Sequence, residues 1–228
     1  MSDIEESAKA VQEVSKVAGK TVDGVRDLAS FIGKFVPTEE VAGIIRDRFQ
    51  YFRYVGQIKL IQKAEAMWQQ AGILTLKPIP LKLAIPYLEA AALEDDDSLQ
   101  DKWAALLVNA ANPAKSVDLS RSYIAILEEI TPFEAALLDK IYGFPFDSIQ
   151  HNGIWTAELP DRAIAGNEKE EEPAQVKDKN PSELVVLGLA NLKRLGCIQT
   201  ASTWGGGENF KRILPTVLGK HFVAACTM

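Results

Sequence analysis

A mainly α fold is predicted, helical through the N-terminal and central parts and ending in a small winged-helix-like region with one β-hairpin. Three observations predict it. Apolar residues recur at steps of three and four over most of residues 7–142. Helix start and stop signals punctuate those stretches. Only the last 48 residues, 181–228, combine helical patterning with two short strand-like runs around a glycine turn.

Residues 7–36 read as an amphipathic helix. Val11, Val14, Ala18, Val22, Val25, Ala29, Ile32 and Val36 fall within about 80° of arc at helical spacing. Glu13, Lys16, Lys20, Asp23, Asp27 and Lys34 lie on the other side. The stripe is narrow and its side chains small, and Gly19, Gly24 and Gly33 weaken the helix further. Such a helix needs a surface to rest on. Its most apolar part holds Leu28, Phe31, Ile32, Phe35 and Val36, the candidate residues for contact with a partner or a membrane. Five basic and three acidic groups over residues 7–36 suit an interfacial helix. They suit equally a helix packed in a groove or paired with its copy. The scarcity of Trp and Leu anchors favours packing on protein over lipid.

Pro37 ends this segment, giving a first region of residues 1–37. Thr38 can cap a longer helix running to about Ala71, with Val41, Ile44, Ile45, Phe49, Phe52, Val55, Ile58, Ile61 and Trp68 on its apolar side and Gly72 as its stop. Residues 81–93 are helical, with Pro86 starting or kinking the helix. Glu94–Asp97 form an acidic turn. Ser98 and Asp101 approximate a capping box for a helix carrying Leu99, Trp103, Leu106, Leu107 and Ala110. A further helix covers about 120–130. Thr131-Pro132-Phe133-Glu134 combines a cap, an N1 proline and a glutamate three residues after the cap. The helical domain thus spans 38–143. Residues 144–180, with Glu168-Lys-Glu-Glu-Glu172 and three prolines, read as a long, mobile acidic loop.

The C-terminal region, 181–228, resumes with a helix capped by Ser182 and stopped at Gly196. Its run Glu183-Leu-Val-Val-Leu-Gly-Leu-Ala-Asn-Leu is so apolar that it reads as buried. Strands at Cys197–Ser202 and Phe210–Leu214 flank Trp204-Gly-Gly-Gly207, and a last helix follows Thr216.

Two blocks, Ser98–Ala110 and Leu214–Cys226, together with Ile126-Leu127, Thr131-Pro-Phe-Glu-Ala135 and Asn191-Leu-Lys-Arg-Leu-Gly196, carry a likeness to a known family. The chain resembles the abortive infection alpha proteins of bacteria, which are associated with phage defence. The resemblance implies a defence role. Its matching residues are packing and capping residues, so it carries no mechanism.

The remaining chemistry points away from catalysis. Two histidines and two cysteines make neither a metal site nor a nucleophile pair with a base, and no cofactor is expected. The glycines at 205–207 lack the strand-to-helix context of a phosphate loop. Glu94–Asp97 reads as a solvated helix entry, Trp103 as a core anchor and Asn109 as a helix-end residue. The N-terminus, acidic and polar, is no signal peptide, and no apolar run is long enough to span a bilayer. The expectation is a non-enzymatic cytoplasmic protein that associates with itself or a protein partner, with peripheral contact at the inner face of the membrane as an option. A net charge of −6 disfavours nucleic acid. The alternative of a winged-helix regulator would place Lys193, Arg194, Lys211 and Arg212 on phosphates.

Overall fold

The computed structural model describes residues 54–166, 179–202 and 207–228. The segment holding Leu28, Phe31, Ile32, Phe35 and Val36, residues 38–53 of the helix expected from Thr38, the run Glu168–Glu172 and Trp204 lie outside the described residues. Among the described residues the protein is mainly helical, with eight helices and one four-stranded antiparallel sheet toward the C-terminus. They fall into two compact units. One comprises residues 54–95 and 103–120, the other residues 96–102 and 121 onward.

The first unit opens with α1 (Tyr54–Gln70), which packs against α2 (Leu81–Ala91). Among its described side chains, Leu60, Ile61 and Ala64 are buried. Gly72 follows α1 at φ 63°, the left-handed stop expected for it. Pro86 sits inside α2 and does not start it; the helix begins directly after Pro80. Helix α3 (Asp97–Ala111) belongs to this unit from Trp103 onward. The Tyr87 hydroxyl donates to the Trp103 carbonyl at 2.5 Å, and the two rings meet edge to face at 5.3 Å. Both side chains are fully buried, so this pair anchors α2 on α3.

The start of α3 departs from expectation. Asp96 is the capping residue and Ser98 is not. The Asp96 carboxylate accepts from the backbone amides of Ser98 and Leu99 at 2.9 and 3.0 Å, and from the Ser98 hydroxyl at 2.5 Å. All three bonds fall on Asp96 Oδ1, which thereby satisfies two of the orphan amides of the first turn. Of the acidic turn, Asp96 is thereby explained as a cap.

In the second unit, α4 (Arg121–Glu129) precedes α5 (Pro132–Ile141). The expected capping box is present in full. Glu134 N donates to Thr131 Oγ1 at 3.2 Å, and Thr131 N donates to Glu134 Oε2 at 2.7 Å. Helix α7 (Glu183–Arg194) is capped by Ser182 and packs on α5. Gly188 eases that approach, since a Cβ there would lie 3.1 Å from Leu137 Cδ1 and 3.3 Å from Glu134 Cγ and those side chains would have to give slightly. At its end Gly196 takes φ 74°, and Cys197 N donates to Leu192 O while Gly196 N donates to Lys193 O. That pair of bonds is a Schellman stop.

Residues 144–166, expected to be loop, fold instead. They form α6 (Phe146–Ile149), β1 (Ile154–Trp155) and β2 (Ile164–Ala165). The hairpin β3 (Ile198–Ser202) and β4 (Glu208–Pro215) is as expected, and β1 pairs with the far side of β4, giving the order β2-β1-β4-β3. Strands of two residues are too short for a periodic signal, and β1 takes its partner from nearly 60 residues downstream. Burial of Ile149, Ile154, Leu159 and Ile164 holds the segment in place. Helix α8 (Val217–Ala225) closes the chain against α5.

Candidate functional site

The second unit gathers most of the polar side chains singled out in the sequence, around α5, α7 and the sheet. Glu134 is only 6% exposed. Its Oε2 is held by the Thr131 amide and hydroxyl, and its Oε1 accepts from Asn191 Nδ2 at 2.9 Å. The same Asn191 amide donates to the Glu129 carbonyl at 3.1 Å. The Asn191 Oδ1 accepts from Arg194 Nε at 3.0 Å, and Arg194 pairs with the Glu129 carboxylate. Two of the motifs behind the family likeness, Thr131–Ala135 and Asn191–Gly196, are therefore one hydrogen-bonded bracket between α5 and α7.

A second bracket centres on Tyr142. Its hydroxyl donates to the Cys197 carbonyl at 2.5 Å and accepts from Thr216 N at 2.9 Å. Burial raises the Tyr142 pKa. Gly219 has no room for a side chain beside that hydroxyl and the Cys197 carbonyl. Cys197 and Cys226 are both buried. Burial pushes the Cys197 thiol up to about 12 and raises the Cys226 thiol as well, so neither is a ready thiolate.

Three of the four cations of the nucleic-acid alternative are engaged within the protein. Lys193 bonds Glu208 at 2.5 Å. Arg194 is held by Glu129 and Asn191. Arg212 donates through Nε to the Asn152 carbonyl at 2.6 Å and lies 5.5 Å from the Trp155 ring centre. Lys211 is half-buried on β4, its backbone amide donating to Asn209 Oδ1.

Helix α7 itself differs from expectation. It is not wholly buried. Val185, Gly188, Leu189 and Leu192 face inward, but Leu184 is 61% and Leu187 63% exposed. Composition could not separate these leucines, whereas their positions could: the inward residues keep helical spacing and Leu184 and Leu187 fall off that face. Asn109, buried on α3, accepts from Lys115 Nζ at 2.6 Å and ties the following loop to the helix. His151 and His221 are exposed. Among the described residues no group of three or more His, Cys, Asp or Glu is arranged to hold a metal, and no helix is long and apolar enough to cross a membrane.

These features define a mainly helical protein in which Glu134, Asn191 and Tyr142 brace its own elements. Residues 56–226 match the family described as abortive infection alpha, and the chain belongs to that family. Membership points to a role in abortive infection. No curated protein and no solved structure matches the chain.

Proposed function

We propose that this protein is a non-enzymatic component of bacterial phage defence that acts by contact. It associates with itself, or engages a protein partner or a membrane surface, with the segment around Leu28, Phe31, Ile32, Phe35 and Val36 as the docking element. The reading puts it in the bacterial cytoplasm, at the inner face of the membrane when that segment engages lipid.

The C-terminal unit is read as winged-helix-like. Helix α5, strand β1, helix α7 and the β3–β4 hairpin follow in that order, and β4 lies between β1 and β3. One observation carries the choice of a protein-contact role for it. The helix in the recognition position offers Leu184 and Leu187 to solvent, where a reader of base edges needs polar side chains. Exposed apolar residues on a helix face favour a protein partner.

The test replaces Ile32 and Phe35 with Asp. The double variant is expected to lose self-association, liposome co-sedimentation or protection against phage while its helical content is unchanged. A double variant indistinguishable from the parent in all three overturns the proposal. The second reading, a nucleic-acid-binding regulator, draws on the same strand order. It predicts affinity for duplex DNA that falls steeply with salt.

A further inference from the structure

The solvent side of α7 carries a seam complementary to itself. Glu183, Leu187, Ala190 and Arg194 follow one another at steps of four, three and four, so they form one line along the helix. Their angular position is opposite that of the buried Val185, Leu189 and Leu192. Glu183, Leu187 and Arg194 are exposed and Ala190 is half-buried. One end of the line is acidic and the other basic. Between them stand one large and one small apolar residue.

From this arrangement we infer that α7 is a pairing helix whose partner is α7 of a second copy, running antiparallel about a two-fold axis. In that register Glu183 of each copy faces Arg194 of the other, and Leu187 of each faces Ala190 of the other. Every contact is made twice, as a two-fold interface requires. The charge order specifies the direction, since parallel pairing would set like charges together. The small Ala190 leaves room for the opposing Leu187, so the two axes can approach closely. Antiparallel alignment also brings the N-terminus of each helix dipole against the C-terminus of the other. The exposed Leu184 lies at the rim and extends the apolar strip. Arg194 can meet a second carboxylate while held by Glu129, because its side chain is 57% exposed in that ion pair.

A helix of 12 residues is about 18 Å long. One such pair is smaller than a standard stable interface. The association is therefore concentration-dependent, with monomer dominant when dilute.

The inference rests on the reading that the protein acts by contact, and it adds a partner and a register. Its test uses the full chain. The solution mass of the parent is expected to rise toward twice the monomer between low and high micromolar concentration, and Leu187→Asp is expected to remove that rise. Leu187 is exposed, so the variant should fold; circular dichroism checks this. The register is read by cysteine capture. A mixture of Leu187→Cys and Ala190→Cys proteins should give a crosslinked dimer under mild oxidation, at least tenfold faster than Gln199→Cys, an exposed control on β3. The native thiols are buried and do not compete. Mixed crosslinking no faster than the control overturns the seam, as does Leu187→Asp assembling like the parent. Assembly lost in the Ile32→Asp, Phe35→Asp variant but unchanged in Leu187→Asp refutes the seam and leaves the contact reading intact.

Discussion

Asn191 on α7 donates its side-chain amide to the buried carboxylate of Glu134 on α5 at 2.9 Å. The other oxygen of that carboxylate closes the capping box with Thr131. One side chain therefore does two things, starting α5 and fixing α7 on it. Replacing Asn191 by Ala strips the partner from a buried carboxylate oxygen, which costs about 1–3 kcal/mol. It also releases Arg194 from its hydrogen bond. Urea unfolding should show a lower midpoint with an unchanged slope. Thr131→Ala loses the cap and the hydroxyl's bond to Glu134 Oε2, and should cost about 1–2 kcal/mol.

Tyr142 gives a second, independent test. Its hydroxyl is engaged by Cys197 and Thr216, residues from the entry of β3 and the start of α8. Tyr142→Phe keeps the ring and removes these bonds, at a cost of about 1–3 kcal/mol. Gly219→Ala should be worse, because its methyl group would sit where the Tyr142 hydroxyl and the Cys197 carbonyl are. Combining Tyr142→Phe with Gly219→Ala should cost less than the sum, since the first removes one of the obstructing atoms. Thermal unfolding of the three variants checks this.

The thiols report on opening of the second unit. Both are buried, and burial holds their pKa above the ordinary value of 9.0. A raised folded-state value means that stability is intact below the unfolded pKa. It is lost as pH rises from there toward about 12 for Cys197. The protein should thus weaken progressively above pH 9. Near neutral pH, labelling by a thiol-specific reagent should be slow and should accelerate in Tyr142→Phe. Rapid labelling of the native chain at neutral pH would contradict the buried placement.

Much of this fold was legible because its punctuation is local. The Thr131 box, the Ser182 cap and the Gly72 and Gly196 stops each depend on residues within one or two turns, so neighbouring letters suffice to find them. The same holds for Trp103, whose spacing with Leu99, Leu106 and Leu107 marks the buried face. Asp96 was missed because Ser98 offers a competing cap, and only geometry shows the carboxylate outdoing the hydroxyl. Strand β1 was missed for the opposite reason: its partner β4 is far away in the chain. In α7 the abundance of apolar residues masked the fact that they occupy two faces. The Glu134–Asn191 pair joins residues 57 apart, and nothing local announces it.

The buried Trp103 measures how far the first unit depends on its anchor. It is 1% exposed and receives the Tyr87 hydroxyl on its carbonyl. Trp103→Ala empties a large volume and should cost about 3–5 kcal/mol. Tyr87→Phe keeps the ring contact and loses one buried bond, so it should cost nearer 1 kcal/mol. Denaturant unfolding of both checks that order.

The cations of α7 and β4 decide between the two readings of the C-terminal unit. If Lys193, Arg194, Lys211 and Arg212 held phosphates, each would add about 0.9 to the slope of log affinity against log salt on duplex DNA. Neutralising all four would then flatten that slope by nearly four. Their geometry argues otherwise. Lys193 and Arg194 already have carboxylate partners, and Arg212 is spent on the Asn152 carbonyl and the Trp155 ring. Moving Lys193 and Arg212 to phosphate would forfeit those bonds, and a net charge of −6 opposes the approach of DNA. The expected result is weak binding with the same salt slope in parent and variant. The variant's clearest change should instead be structural, since loss of Arg194 and Lys193 leaves Glu129 and Glu208 without their ion pairs. A parent slope that falls by three or more on neutralisation would reverse the assignment and make this unit a nucleic-acid reader.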